Sequence, residues 1–383
     1  MSQGTDAREF DVFLHGTVFL DIVFTGLSSL PPPGTEIWAQ GMGSSPGGIA
    51  NMATAASRLG LHTSLAAAFG DDVYGEFCWR SLSEQEGVDL SCSRRFENWH
   101  SPVTVSMAAQ GDRAMVTHGH QAPVHATEMI GRAPRSKVVL VDLGEDTIGG
   151  AAQPSWVDLA VADGARVFAD VGWDDTGAWS PRVLEQLSSC HAFLPNAAEA
   201  MAYTRTDTPR DALYAIADLV PLAVVTNGVH GAMAIDATTG EEADVPALRV
   251  NAIDPTGAGD VFAAGMILGT LHDWPLRDRL AFASACSALA VQHFGGSLAA
   301  PGLGDVLDWW HHIRDTDGGG AYAASLKRRY AFLDELAPAN PVTARRRAAA
   351  TIARLSDVDA PPIPATPGPP PPPRPDGTTK ETP

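Results

Sequence analysis

Residues 254–271 read DPTGAGDVFAAGMILGTL, and this stretch carries the strongest structural signal in the chain. Gly257, Ala258 and Gly259 have almost no side chains, so their N–H groups are exposed where an apolar helix begins. Such a helix N-terminus binds anions. Asp260 in the first turn would repel a bound phosphate, so its best explanation is a general base for a hydroxyl that attacks that phosphate. An acidic helix cap is the other interpretation.

The rest of the chain alternates strand-like apolar runs with helical stretches. The strand-like runs are apolar throughout, which is typical of a mostly parallel sheet covered by helices on both faces; they include KVVLVDLG, RVFADVG, HAFLPN and AVVTNG. Residues 15–42 and 98–120 instead alternate polar and apolar positions and contain turns, as hairpins do. We therefore predict an α/β fold of three α/β/α layers with a small β lid.

Composition divides the chain into three parts. Residues 10–312 carry the β-α alternation and form the predicted main domain. Residues 313–358 form a predicted helical extension, with AYAASLKRRYAFLDELA and TARRRAAATIARLSDV as two helices separated near Pro338 and Pro341. Residues 359–383 are rich in proline and predict a disordered tail.

The net charge restricts the partners. Asp and Glu number 45 against 26 Lys and Arg, giving a net charge of −19. This argues against nucleic acid and anionic membranes, which require a basic face. No apolar run approaches the roughly 18 residues that span a bilayer, and MSQGTDAREFD has no basic segment leading into an apolar one. We therefore expect a cytoplasmic protein.

Lysine and cysteine exclude further classes. The lysines are Lys137, Lys327 and Lys380, and only Lys137 could serve a mechanism that needs one in the main domain. It has no glycine-rich loop before it, so we predict a solvated charge at the start of a strand. The four cysteines have neither zinc-site nor disulfide spacing, and we predict small buried side chains. No GxGxxG opens a βα unit, which argues against a nicotinamide-dependent enzyme.

Two motifs together resemble the ribokinase-like (phosphofructokinase-B-type) sugar and nucleoside kinases. Residues 254–267 match the C-terminal signature of that family at every constrained position. Gly47-Gly48-Ile49-Ala50-Asn51 matches the N-terminal signature but is one residue shorter between the glycines and the Asn. The resemblance covers about residues 10–312. It implies the ribokinase-like fold and phosphorylation of a hydroxyl of a small neutral sugar or sugar-like substrate by ATP with Mg²⁺. Asp260 is then the general base, and Gly257–Gly259 form the anion hole.

The resemblance also implies the rest of the site. The substrate-binding residues would be Asp21, Gly47, Gly48, Asn51 and Asp260. The nucleotide-binding residues would be Asn196, Glu199, Thr226, Gly228, Gly231, Gly259 and Ser284, with Glu199 ordering water on Mg²⁺. Asp254 and Thr256, with carbonyls near Ala290, His293 and Gly295, match the region where some relatives bind K⁺. Without the resemblance, Asn196 and Glu199 would be a helix cap, and Ser284 helix packing.

One departure concerns the substrate. Many relatives carry Asp-x-Asn-x-Arg on a central strand, whereas residues 170–174 read DVGWD and lack both the Asn and the Arg. That favours a neutral sugar or nucleoside over a sugar phosphate or sugar acid. Glu145 is a further candidate for the sugar site.

Two alternatives stay open. A nucleoside kinase could stack a base on the lid aromatics Trp38, Phe96 and Trp99. The shortened glycine motif and the missing Arg also fit a catalytically silent sugar- or nucleotide-binding regulator. In relatives the lids often pair between subunits, which implies a homodimer through the lid.

Overall fold

The computed structural model describes residues 9–109, 112–149, 154–172, 174, 176–316, 320–336 and 344–347. The strands are β1 (Phe10–His15), β2 (Val18–Leu27), β3 (Gly41–Gly48), β4 (Thr63–Ala66), β5 (Ala68–Gly70), β6 (Arg94–Phe96), β7 (Val103–Ala109), β8 (Asp112–His118), β9 (Ser136–Asp142), β10 (Arg166–Asp170), β11 (Ala192–Phe193), β12 (Leu222–Thr226), β13 (Ala232–Asp236) and β14 (Glu241–Val245). β5 and β6 pair separately in a short parallel ribbon.

The helices complete the described chain. They are α1 (Ile49–Arg58), α2 (Val73–Arg80), α3 (Ala126–Ile130), α4 (Trp156–Ala162), α5 (Pro181–Glu185), α6 (Ala197–Thr204), α7 (Pro209–Ala217), α8 (Ala258–Leu271), α9 (Leu276–Ala290), α10 (Gly296–Ala299), α11 (Leu303–Asp315), α12 (Gly320–Tyr330) and α13 (Leu333–Leu336). Shorter irregular helical turns cover Ser81–Gln85, Gln186–Ser189 and Gly228–His230. Within the described ranges, every helix is too short or too polar to cross a membrane.

An eight-stranded sheet forms the middle layer. Its order is β14-β13-β12-β11-β10-β9-β1-β4. The strands from β12 to β4 run parallel, and β13 and β14 add an antiparallel hairpin at one edge. The parallel part brings the carboxyl ends of six strands to one side of the sheet, where ligand sites form in such folds.

Apolar residues cover both faces of this sheet, which confirms the predicted three-layer α/β/α fold. On one face the core is built mainly from α1, α8 and α9, with α2, α11 and α12 packed around them. On the other face it is built from α4, α5, α6 and α7. Cys78, Cys190 and Cys286 are buried in these cores, as predicted, whereas Cys92 is only partly buried. Lys137 lies at the start of β9 and pairs with Asp11, with 2.8 Å between Nζ and Oδ1.

The β lid is a separate four-stranded sheet of order β3-β2-β7-β8. It contains the predicted hairpin of β7 and β8. The predicted limit at residue 42 is wrong, because β3 continues to Gly48 and pairs with β2 over eight positions. The glycine pair therefore ends a lid strand and leads directly into α1, so the lid and the first helix of the main domain share this motif.

The C-terminal extension differs in part from its prediction. The first predicted helix is present as α12 and α13, interrupted at 331–332. α11 crosses the predicted boundary at 312, and Leu326 and Tyr330 are buried in the main core. Of the second predicted helix, residues 344–347 are not helical because the carbonyl of Arg345 accepts the N–H of Gly304. The rest of that helix and the predicted tail lie outside the described residues.

Candidate active site

The residues predicted to form an anion hole lie at the start of α8. Gly257 is the N-cap with φ of 73°, a left-handed conformation that favours glycine. A Cβ on Gly257 would lie 2.8 Å from the Cα of Gly296, so the loop packs closely against a second backbone segment. A Cβ on Gly259 would meet no atom within 4 Å, so this face of the helix start is open. The Ser287 hydroxyl donates to the Ala258 carbonyl at 3.1 Å and fixes the first turn.

The Asp254 carboxylate joins the loop before α8 to the segment at Gly295. Its Oδ1 accepts the N–H of Thr256 at 2.9 Å and the Thr256 hydroxyl at 2.5 Å. Its Oδ2 accepts the N–H of Gly295 at 3.0 Å. The two side chains predicted near K⁺ are therefore bonded to each other, and a cation here would depend on backbone carbonyl oxygens.

Asp260 lies in the first turn of α8 with its carboxyl at the edge of the open face. The Asn51 amide Nδ2 donates to Asp260 Oδ2 at 3.4 Å, which links the two sequence signatures directly. Burial raises the pKa of Asp260 to about 7, and the charge of Asp142 adds to the shift while the Asn51 amide opposes it. A carboxyl with a pKa near neutrality is matched to proton transfer at physiological pH.

Further carboxyls surround Asp260 at the carboxyl ends of the strands. Asp142 ends β9 and Asp170 ends β10, and the two lie directly opposite each other in the sheet. Burial raises the pKa of Asp170 well above its ordinary value, with added contributions from Asp260, Glu199 and Asp142. Burial likewise raises the pKa of Asp142 and of Glu199. The site is strongly acidic.

The predicted sugar residues meet where the lid joins α1. A Cβ on Gly47 would lie 1.9 Å from Asp21 Oδ2, so only glycine lets β3 pass this carboxylate. Gly48 is the N-cap of α1 and Asn51 lies in its first turn. Asn51 Oδ1 is buried and has no hydrogen-bond partner among the described residues. Asp21, Gly47 and Asn51 therefore face the same end of the sheet as Asp260.

The predicted nucleotide residues lie at the ends of β11 and β12. Asn196 and Glu199 form a capping box on α6, with 3.0 Å from the Glu199 N–H to Asn196 Oδ1 and 2.9 Å for the return bond. The helix-cap interpretation is thus correct for their mutual bonds. Asn196 also bridges to Thr226 at the end of β12. The capping box and the β12 loop are therefore neighbours.

The loop after β12 is open to solvent. Gly228 begins a helical turn, and a Cβ there would meet nothing within 4 Å. Gly231 ends the turn, and its carbonyl accepts the Asn227 N–H at 2.7 Å. His230 is exposed. Ser284 is buried in α9 with a hydroxyl that has no hydrogen-bond partner among the described residues.

Comparison with known proteins identifies the family. Residues 15–302, well over half of the chain, match the pfkB family carbohydrate kinases. The chain belongs to this family. It is 26% identical over 273 residues to a ribokinase of Schizosaccharomyces pombe, covering 67% of this chain and 83% of that protein. It is 25% identical over 328 residues to a 5-dehydro-2-deoxygluconokinase of Shouchella clausii, covering 79% and 96%.

The fold agrees with this assignment. The structure of Arabidopsis thaliana ribokinase complexed with ribose and ATP matches with a TM-score of 0.64 and 22% identity, covering 78% of this chain and 98% of that one. The ribokinase-like fold is therefore confirmed. As a pfkB-family member, the chain is a carbohydrate or nucleoside kinase, a phosphotransferase that acts on a hydroxyl group.

The structure of this pfkB-family kinase also shows where the remaining candidates lie. Glu145 is exposed, and its carboxylate lies 3.5 Å from the Arg182 guanidinium. Asp142, three residues earlier, is the carboxyl that acts on Asp260. The position of Asp142 at the end of an apolar run was the available signal. Trp173, in the DVGWD segment at 170–174, lies outside the described residues. Of the lid aromatics, Phe96 and Trp99 pack edge-on against each other, with 6.3 Å between their ring centroids.

Proposed function

We propose that this protein uses ATP to phosphorylate a hydroxyl of a small neutral sugar or sugar-like substrate, with Asp260 as the general base. The observation that carries the proposal is the Asp260 carboxyl, whose pKa is about 7, in the first turn of α8 beside the Gly257–Gly259 amides. The proposed base and anion hole thus lie within the same helical turn. In-line phosphoryl transfer needs this pairing.

The reaction follows from these positions. The Asp260 carboxylate accepts the proton of the acceptor hydroxyl as the hydroxyl oxygen forms its bond to the γ-phosphorus. The bond between that phosphorus and the β–γ bridging oxygen breaks, and ADP leaves with the bond electrons. The N–H groups of residues 257–259 hold the transferred phosphoryl oxygens. Asn51 holds the base through its amide and keeps an acceptor oxygen for a substrate hydroxyl.

The residues present fit ATP and Mg²⁺. The open faces at Gly228 and Gly259 leave room for phosphates next to backbone amides, and the buried Ser284 hydroxyl has bonding capacity to spare. In the described part of the chain, no three His, Cys, Asp or Glu side chains form a metal cluster. We therefore assign Glu199 and Asp142 to water ligands of a magnesium ion carried by the nucleotide. When bound, Mg²⁺ offsets the phosphate charge.

A neutral acceptor is the substrate class that the electrostatics favour. The charges that act on Asp170 are those of three carboxyls, Asp260, Glu199 and Asp142. A phosphate or carboxylate on the acceptor would add to this repulsion at short range. Asp21 accepts hydrogen bonds from hydroxyls without needing a cation. The relatives found include a kinase named for ribose and one named for a deoxygluconate, so family membership alone leaves this choice open.

The test is an ADP-release screen with Mg²⁺ and ATP over neutral pentoses, hexoses, inositols, nucleosides, sugar acids and sugar phosphates. We expect turnover with a neutral sugar and loss of at least 10³-fold in D260N. Turnover restricted to nucleosides would replace the sugar by a nucleoside. Turnover restricted to sugar acids would refute the electrostatic argument. Wild-type protein inactive on the whole panel would favour the regulator.

A homodimer through the lid also remains a proposal. β8 is the edge strand of the lid sheet and exposes Met115 and Val116, with 53% and 65% of their surfaces accessible. An exposed apolar edge strand can pair with a second copy. Light scattering of wild type and of M115K would test it. A monomeric wild type would refute it.

A further inference from the structure

The four residues Ala344–Arg347, here called the C-terminal strap, lie across the beginning of α11. The Gly304 N–H donates to the Arg345 carbonyl at 2.8 Å. Cβ atoms on Gly302 and Gly304 would lie 2.2 Å and 2.9 Å from that same carbonyl oxygen. The strap can therefore pack here only because residues 302 and 304 are glycines, so the local sequence is specific for this contact.

Arg345 anchors the strap to a buried ion pair. Its guanidinium donates to the backbone carbonyl of Glu86 and to the Ser57 hydroxyl, the latter at 3.0 Å. Glu86 and Arg58 are both almost fully buried and pair at 2.9 Å. Two further carbonyls accept from Arg58, Leu298 at 3.3 Å and Ala300 at 2.6 Å. The strap and Arg58 thus converge on residues 293–300, here called the backing loop.

Arg347 grips the backing loop directly. Its guanidinium donates to His293 Nε2 at 2.7 Å and to the Ala299 carbonyl at 3.3 Å. Its backbone N–H donates to Asp305 at 2.6 Å. A planar guanidinium can hold two acceptors at fixed spacing, here the two ends of the loop. Arg346 differs, because it points outward and pairs with Asp308 at the surface at 2.6 Å.

The backing loop in turn supports the catalytic elements. The Gly295 N–H donates to Asp254, and Gly296 packs against Gly257. A Cβ on Gly296 would also lie 2.4 Å from Asn51 Oδ1. The Ser297 hydroxyl donates to the Pro46 carbonyl, at the end of the lid. The loop therefore touches the anion hole, the residue that holds the base, and the lid strand beside Asp21.

We propose that Arg347 is a positioning residue for phosphoryl transfer, through which the C-terminal extension sets the geometry of the anion hole. This inference rests on the proposed function. Arg347 does not touch the reacting atoms. It acts through His293 and Ala299 on Gly295 and Gly296, and thereby on Gly257. A small displacement of preorganised donors lowers the rate of the chemical step without lowering ground-state binding equally.

The test compares R347A, R347K and the matched surface control R346A in the full chain. For R347A we expect kcat to fall about tenfold or more with the acceptor KM within twofold, and faster amide exchange at 253–260 and 293–300. R347K should lie between, since an ammonium lacks the planar fork. R346A should match wild type in both readouts. Unfolding curves on the same samples separate positioning from loss of fold.

Several outcomes would overturn the proposal. Equal kcat values for R347A and R346A would overturn it. Wild-type kcat in R347K would also overturn it, because the positive charge alone would then explain the loss of activity in R347A. If R347A fails to fold, R347K with wild-type kcat and exchange overturns it. If wild type transfers phosphate to none of the screened acceptors, the proposed function fails. The exchange comparison then still decides whether Arg347 holds the anion hole.

Discussion

Replacing Asp260 by Asn should both abolish transfer and stabilise the ligand-free protein. Burial raises the pKa of this carboxyl from its ordinary 3.8 to about 7. Each pH unit corresponds to about 1.4 kcal/mol. Holding the charged carboxylate in the folded protein above pH 8 therefore costs about 4 kcal/mol relative to the unfolded chain. An amide of the same shape carries no charge and avoids this cost.

The sign of the pH dependence follows from the raised pKa. The stability contribution of Asp260 is highest when the carboxyl is protonated, and it is lost as the pH rises from about 4 to about 7. The advantage of D260N should therefore be about 2 kcal/mol at pH 5.5 and about 4 kcal/mol at pH 8, with no further change above that pH. These values are upper limits, because Asp260 keeps some contact with solvent.

Denaturant unfolding of ligand-free wild type and D260N at pH 5.5 and 8.0 measures this difference. D308N is the matched control, because the Arg346 guanidinium lowers the pKa of Asp308 and an amide there should not stabilise. The reasoning is refuted if D260N is no more stable than wild type at pH 8. It is also refuted if the advantage is the same at both pH values. Residual transfer above one part in 10³ would remove Asp260 from the role of base.

Three further outcomes test other parts of the site. kcat/KM should rise with pH through about 7 and then level off, since only the ionised Asp260 carboxylate accepts the proton. A flat profile of kcat/KM between pH 5.5 and 8 would contradict this role of Asp260. G47A should raise the acceptor KM at least tenfold with little change in ATP KM, because its Cβ would occupy the place of the Asp21 carboxylate; kinetics with each substrate varied decides this. G257A places a Cβ at a residue with φ of 73° and 2.8 Å from the Cα of Gly296. It should lower the free energy of unfolding by about 2 kcal/mol and kcat at least 10²-fold. Wild-type values of both would refute the anion-hole assignment.

Short local segments of the structure were predictable from the sequence. The small residues at 257–259 dictate a helix start with exposed amides, and the place of Asp260 in the first turn follows from the helix itself. The apolar, non-alternating strands dictate a buried parallel sheet. The meeting of Asn51 and Asp260, 209 positions apart, could be inferred only because two family signatures occur together.

Sequence reasoning failed where tertiary contacts compete with local preference. TARRRAAATIARLSDV has the composition of a helix, yet the described residues 344–347 bond to Gly304, Glu86 and His293 instead. Asp142 was missed for a related reason. The strand ends at Asp142, so the following residues turn away toward Arg182. The exact end of a strand is not readable from an apolar run.

The acidity of the site and the scarcity of lysine have the same effect, because both keep the pKa of Asp260 high. A base for neutral pH needs a raised pKa, and burial of the Asp260 carboxyl, with a smaller contribution from the charge of Asp142, supplies it. A lysine in the same place would lower the pKa of Asp260 and weaken the base. Under the proposed function, the positive potential for phosphate would come from groups that leave the base without a cationic partner, namely the helix amides and a magnesium ion carried by the nucleotide. The net charge of −19 predicts that polyanionic surfaces are not partners, and it is compatible with ATP as a substrate.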